Sequence, residues 1–143
     1  MTSKFSDSNA FEQLVPKIVE AIQARFSDLE GLYLFGSVGS GQDNAKSDLD
    51  LAALFPRPVD PVALWECSGE LGNLVNRHVD LVDLQSASTV MRMQVIQTGQ
   101  RVFTADEAAC QSFEMIALSM YVRFNEERQG IIEAVQQDKQ VFG

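Results

Sequence analysis

The chain has 143 residues, of which 45% are hydrophobic and 22% are charged, and its formal net charge is −9. This length and composition predict one globular domain over residues 1–143, with a core over about 10–103 and a helical region over about 104–138. The eleven Lys and Arg residues are scattered, which argues against direct binding of a nucleic-acid backbone. No apolar run is long enough to span a bilayer, so we expect no membrane association.

The cysteines and the N-terminus indicate the compartment. Cys67 and Cys110 have neither a CxxC spacing nor a neighbouring His/Cys cluster, so we expect reduced structural thiols. The first residues lack the apolar region of a secretory signal. We therefore expect a cytoplasmic protein.

The first elements are a helix and two strands. Apolar residues with helical spacing predict a helix over roughly 10–26, in which Pro16 either lies in the first turn or kinks the helix. Short apolar runs predict buried strands over 31–35 and 48–55. The helical apolar positions are Leu14, Ile18, Val19, Ile22 and Phe26.

A second helix and a third strand follow. Asp60 and Pro61 have the residue types of an N-cap and a first helical position, which predicts that a helix begins there. The run 78–84 predicts a strand. The apolar positions expected on this helix are Leu64, Trp65, Leu71, Leu74 and Val75.

The last elements are two helices separated by a short strand over 101–103. Ser88 caps the first of these helices and Gly99 ends it, while Thr104 and Glu107 match a capping box that begins the long C-terminal helix. The stripe expected to bury this last helix consists of Ala109, Phe113, Ile116, Met120, Phe124, Ile131 and Val135. The element order predicts an α+β (α/β two-layer) domain, with a small mixed β-sheet flanked by helices.

Two carboxylates at the start of the second strand are the first candidate site residues. Asp48 and Asp50 are two residues apart, so in a strand they project from the same face. Two adjacent carboxylates repel each other unless a proton or a cation intervenes. Mg²⁺ is the natural counterion, because it prefers carboxylate and phosphate oxygens.

The small residues after the first strand form a candidate phosphate site. Gly36 and Ser37 follow a buried strand directly, and backbone N–H groups in such a turn suit an anion. Lys46 is either a further phosphate ligand or a solvated loop lysine. A nucleotide triphosphate would satisfy both the amides and the metal.

A third carboxylate is expected from the strand over 78–84. Asp80 and Asp83 are three apart and therefore face opposite sides of that strand. Asp80 lies in mid-strand, where burial would need metal ligation, general-base work or a salt bridge to Arg77, whereas Asp83 is expected to face solvent. His78 is expected to be a packing or surface residue.

The pattern Gly36-Ser37, ten residues, then Asp48-Leu49-Asp50 resembles the polymerase-beta-like nucleotidyltransferases. The chain is most similar to the minimal nucleotidyltransferase (MNT) antitoxins of HEPN/MNT toxin–antitoxin pairs, the MntA type. The resemblance extends through about residue 103, with Asp80 at the family's third carboxylate, and the C-terminal helix resembles the tail of these antitoxins.

The resemblance implies a role for each residue. Gly36 and Ser37 would bind the terminal phosphates of ATP, Asp48 and Asp50 would coordinate two Mg²⁺ ions, and Asp80 would share a metal and help to deprotonate the acceptor. It implies transfer of AMP to a tyrosine hydroxyl of a cognate HEPN RNase toxin, with release of pyrophosphate. The alternatives are a small-molecule (antibiotic-type) nucleotidyltransferase and a non-catalytic antitoxin that acts by stoichiometric binding.

Overall fold

The computed structural model describes residues 3–36 and 48–142, with side chains over 11–36 and 48–135. Within these ranges the chain forms four helices and four strands. In chain order they are α1 (Ser3–Arg25), β1 (Gly31–Phe35), β2 (Leu49–Leu54), α2 (Pro61–Val75), β3 (Val79–Asp83), α3 (Thr89–Thr98), β4 (Gln100–Thr104) and α4 (Glu107–Phe142). None of the described helices combines the length and the hydropathy needed to cross a membrane.

The four strands form one mixed sheet in the order β3-β2-β1-β4. β1 is antiparallel to both of its neighbours. β2 is parallel to β3, and α2 connects the two strands. The predicted α+β fold with a small mixed sheet, flanking helices and a long C-terminal helix is confirmed. Because β1 and β2 run in opposite directions, the end of β1 meets the start of β2.

Helices α1 and α2 share one apolar cluster with the sheet. Ile18 and Ile22 of α1 and Leu71 of α2 are fully buried there, together with Leu32 and Leu51 of the two central strands. The residues of α1 predicted to face the core do so. The helix itself begins earlier than predicted and contains Pro16 in its interior.

Helices α3 and α4 belong to the cluster on the opposite side of the sheet. Its buried members include Ala52, Leu54, Val95 and Cys110. A polar contact fastens α4 to the central strand, since the Tyr33 hydroxyl donates to Glu114 at 2.7 Å. Burial is the main cause of a raised pKa of Tyr33, and this hydrogen bond raises the pKa further, so the phenol stays neutral.

The caps of α2 and α3 agree with the sequence, but the cap of α4 does not. Asp60 and Ser88 accept from Ala63 N–H and Met91 N–H as N-caps. For α4 the cap is Asp106, whose carboxylate accepts from Ala109 N–H at 3.0 Å. The capping box predicted at Thr104 is wrong because Thr104 still belongs to β4, which pairs with Gly31.

Two of the predicted apolar faces are partly exposed. On α2, Trp65 and Leu74 face outward rather than into the core. On α4, Phe113 packs on the sheet, whereas Ile116 is exposed beside the buried Ala117 and so lies off the packed face. Met120, Phe124 and the later residues of the stripe are exposed as well. The stripe continues beyond the length of helix that the sheet and α3 can cover, so the prediction of a buried face is wrong for this distal part.

Candidate active site

The termini of three strands meet at one end of the sheet. The parallel register of β2 and β3 pairs Asp50 with Asp80, and the antiparallel register of β1 and β2 pairs Phe35 with Asp50. Asp48 is exposed immediately before β2. The end of β1 and the starts of β2 and β3 therefore bring Gly36, Asp48, Asp50 and Asp80 to the same end of the sheet.

The electrostatics of Asp50 indicate a crowded group of carboxylates. Burial raises the pKa of Asp50, and the charges of Asp80 and Asp48 raise it further, while His78 lowers it. Like charges thus act on Asp50 from its own strand and from the neighbouring one. A cation at this place would relieve that repulsion.

Gly36 supports Asp50 directly. Its φ of +79° lies in the left-handed region, which glycine adopts without a steric penalty. A Cβ at this position would collide with the Asp50 carboxylate oxygen Oδ2. Only glycine therefore lets the turn after β1 approach this carboxylate, a second reason for glycine that the sequence pattern did not reveal.

Asp80 lies at the accessible edge of the sheet. Its side chain is 59% exposed, and the only ion pair recorded for it within the described residues joins its Oδ1 to His78 Nε2 at 3.3 Å. The sequence argument that Asp80 would be buried is therefore wrong: Val79 and Leu81 pack into the core, whereas Asp80 projects from the other face of β3. The same exposure leaves the carboxylate open to a substrate, and His78 is a neighbour that the sequence argument had placed outside the site.

Asp83 is the buried carboxylate of β3, contrary to the expectation that it would face solvent. It is 5% exposed and accepts from Val59 N–H, Gln85 N–H and the Ser86 hydroxyl, each at 3.0 Å. These three donors satisfy the carboxylate internally. Asp83 therefore has a structural role at the end of β3 that lies opposite the candidate site.

The structure leaves two predicted phosphate-binding residues undescribed and contains no preformed metal-binding group among the described side chains. Ser37 and Lys46 lie outside the described residues. Among the described side chains, no three or more His, Cys, Asp or Glu residues are arranged so that they could together hold a metal ion. The register pairs Asp50 with Asp80, and the charges of Asp80 and Asp48 raise the pKa of Asp50, so a cation would relieve repulsion among these carboxylates.

The fold and this carboxylate-bearing edge define a nucleotidyltransferase domain. Residues 17–108 match the family model described as "Polymerase beta, Nucleotidyltransferase", so the chain belongs to this family. The matched range contains Gly36, Asp48, Asp50 and Asp80, together with the strands that position them.

One curated relative is more specific than the family. The chain is 36% identical to the protein adenylyltransferase MntA of Shewanella oneidensis over 119 residues, which cover 83% of this chain and 85% of MntA. The chain is therefore a homologue of a protein adenylyltransferase.

Solved structures agree with this relationship. A toxin–antitoxin crystal structure with AMP-PNP matches with a TM-score of 0.75 at 36% identity, covering 85% of this chain and 97% of the other. A structure of tri-AMPylated S. oneidensis HEPN toxin in complex with MNT antitoxin matches with a TM-score of 0.72 at 34% identity, covering 87% and 98%.

Proposed function

We propose that this protein is a Mg²⁺-dependent adenylyltransferase that moves AMP from ATP to a tyrosine hydroxyl of a cognate HEPN toxin and so neutralises it. Membership of the nucleotidyltransferase family and 36% identity to MntA support the reaction class. The AMP-PNP complex and the AMPylated toxin complex of the relatives support ATP and the toxin as substrates.

The observation that carries the proposal is the register of β2 and β3. It sets Asp50 beside Asp80 on adjacent strands, with Asp48 two residues before Asp50. Gly36 closes the other side of Asp50. This arrangement supports a triphosphate at the turn after β1 and an acceptor beside Asp80.

The proposed reaction is a displacement at the α-phosphorus of ATP. The acceptor oxygen forms a bond to the α-phosphorus of ATP while the bond from this phosphorus to the pyrophosphate oxygen breaks. The proton of the hydroxyl passes to the Asp80 carboxylate, which is exposed and can return it to water. Gly36 and Ser37 hold the departing phosphates through backbone N–H groups and the serine hydroxyl.

Mg²⁺ is assigned to the carboxylates of Asp48, Asp50 and Asp80. When bound, it would offset the negative charge that develops on the attacking and leaving oxygens. The carboxylates would supply hard oxygen ligands from β2, from the residue just before it and from β3. Lys46 is proposed as a further phosphate ligand.

The test is transfer of label from ATP labelled on the α-phosphate to the purified partner toxin in the presence of Mg²⁺. The labelled residue is then located by mass spectrometry. We expect label on a tyrosine, and a loss of at least about 10³-fold in rate for Asp48→Asn and Asp50→Asn, since each removes a charged metal ligand. Asp60→Asn is the matched control, because asparagine also serves as an N-cap.

Other outcomes identify the alternatives. Neutralisation that survives both substitutions without any transferred label would mean that the protein acts by stoichiometric binding. Label found only on a small molecule would mean an antibiotic-type nucleotidyltransferase. Label that requires no divalent cation would contradict the assignment of Mg²⁺.

A further inference from the structure

A groove adjoins the candidate site on the outer side of β3. It has a volume of about 940 Å³ and is lined by α2, the end of α1 and the first residues of β3. His78 and Asp80 line the part next to the carboxylates, and Trp65 lines the part near the start of α2. Residues 65 to 76 of its lining span about 16 Å along the helix direction, which accommodates about five residues of extended chain.

The order of groups across the sheet places this groove on the acceptor side. Gly36 at the end of β1, Asp50 on β2 and Asp80 on β3 lie in that sequence, and the groove lies beyond Asp80. In an in-line displacement the attacking and leaving oxygens are on opposite sides of the phosphorus. With the triphosphate at Gly36, the hydroxyl must enter from the side of Asp80, and this is where the groove is.

The wall of the groove is not available for strand pairing. The Ser68 hydroxyl donates to the carbonyl of Val79 at 3.1 Å and accepts from Leu81 N–H at 2.9 Å, so it occupies outward backbone groups of the edge strand. A segment in the groove therefore has to be recognised by the side chains of α2 and of the turn after it, rather than by adding a strand to the sheet.

The side chains of the groove suit a peptide. Trp65 is 77% exposed, and tryptophan is enriched among the residues that contribute most to protein interfaces. Gly69, one turn further on, leaves open space beside this indole, because a Cβ there would meet no atom within 4 Å. The amides of Asn73 and Asn76 offer donors and acceptors for a peptide backbone near Asp80.

We propose that this groove binds an extended segment of the partner protein that flanks the acceptor tyrosine. Trp65 contacts a residue of the segment several positions from the tyrosine, and the tyrosine hydroxyl reaches Asp80. Trp65 and the space above Gly69 thus determine which acceptor is used. This inference rests on the proposed function, since it assigns the acceptor side of the same reaction.

Two substitutions change the groove without disturbing the core. One removes a side chain from its wall, and the other places a side chain in its open space. Trp65→Ala deletes an exposed side chain, and Gly69→Gln places a side chain in open space. We expect each to raise the KM for the partner protein at least tenfold, while the KM for ATP stays within about twofold of wild type. The measurement is the initial rate of label transfer at varied partner and varied ATP concentrations.

The chain offers a matched control for each substitution. Val62→Ala removes another exposed apolar side chain of α2 that does not line the groove. Gly130→Gln fills open space on α4, where a Cβ likewise meets no atom within 4 Å. Both controls should keep the wild-type KM for the partner, and thermal melts of all four variants should confirm that they are folded.

The outcomes separate the two proposals. If the wild type transfers no label to the partner, the proposed function is overturned and this inference with it. If the wild type transfers label and both groove variants keep its KM for the partner, the inference alone is overturned. A rise in the KM for ATP instead would assign the groove to the nucleotide and would also overturn it.

Discussion

The two ends of β3 carry one aspartate each and use it in opposite ways. At the start of the strand, Asp80 is exposed beside His78 and faces the groove and the neighbouring carboxylates. At the end of the strand, Asp83 is buried, and three donors within the chain satisfy its carboxylate. A carboxylate without internal donors is available for chemistry, whereas a fully hydrogen-bonded one is committed to stability.

The surroundings of Asp83 reinforce this contrast. Arg92 donates to the carbonyls of Leu84 and Gln85, both at 2.8 Å, and Gln85 donates to the carbonyl of Phe55 at 3.0 Å. Main-chain and side-chain groups just after β3 are therefore tied to the end of β2 and to α3. At the start of β3 the Ser68 hydroxyl holds the main chain of Val79 and Leu81, while the Asp80 side chain stays exposed.

The largest effect is expected from removing the charge of Asp80, the exposed carboxylate at the start of β3. Asp80→Asn should lower the rate of AMP transfer by about 10³-fold, since it removes both a metal ligand and the proposed proton acceptor. Its Tm should stay close to that of wild type, because an exposed pair with His78 contributes little to stability. Kinetics and thermal melts of the same preparation test both statements, and a large fall in Tm would remove the distinction between the two ends.

The next largest effect is expected from removing the buried carboxylate of Asp83 at the end of β3. Asp83→Ala should lower the free energy of unfolding by about 3 kcal/mol, because it leaves the N–H groups of Val59 and Gln85 without their acceptor. Denaturant unfolding measures this change. The rate of transfer per folded molecule should remain near wild type, and a specific loss of activity would show that Asp83 also serves the site.

A smaller effect is expected for a carboxylate that only caps a helix. Asp106→Ala should lower the free energy of unfolding by about 1 kcal/mol, since Ala109 N–H loses its acceptor. Thr104→Ala should change it by less than about 0.5 kcal/mol, because Thr104 does not cap α4. A larger effect for Thr104 than for Asp106 in denaturant unfolding would contradict the observed start of α4.

The smallest effect is a gain in stability from Asp50→Asn in metal-free protein. Burial and like charges raise the pKa of Asp50 in the folded state, so the unfolded state releases this proton more readily and ionisation costs folding free energy. The variant should therefore melt slightly higher than wild type at neutral pH. The difference should shrink as the pH falls through the raised pKa and should vanish below the ordinary pKa of aspartate, where the carboxyl is protonated in both states.

Thermal melts in a chelating buffer at neutral pH and at about pH 4 measure this difference. Asp60→Asn provides the control, since it removes a charge from an N-cap away from the carboxylates of β2 and β3. A variant that melts below wild type at neutral pH would mean that Asp50 stabilises the fold.

The elements and the site motif were predictable because their signals are local. Short apolar runs and helical spacing predict the four strands and four helices of the described ranges, and the predicted N-caps Asp60 and Ser88 are confirmed. Gly36, Asp48 and Asp50 belong to one short stretch. The register places Asp80 beside Asp50, but it is exposed rather than buried, and its role in the site stays a prediction.

The exposure of particular residues was not predictable, because it depends on what lies opposite them. Trp65 and Leu74 fit a helical apolar pattern, yet they point away from the sheet. Phe113 and Phe124 belong to one stripe of α4, but the body of the protein extends far enough to cover only the first. A periodic pattern specifies a face of a helix and leaves open what covers it.

The sequence by itself determined the order of elements, the turn after β1 and the pair of aspartates that identify the family, because these depend on residues close together in the chain. Only the tertiary structure decided that β3 lies beside β2 at the sheet edge, which places Asp80 next to Asp50 and opens the groove toward Trp65. Only the tertiary structure also brought Val59, Gln85 and Ser86 around Asp83. Strand neighbours and buried hydrogen-bond partners are set by long-range packing, which local spacing does not encode.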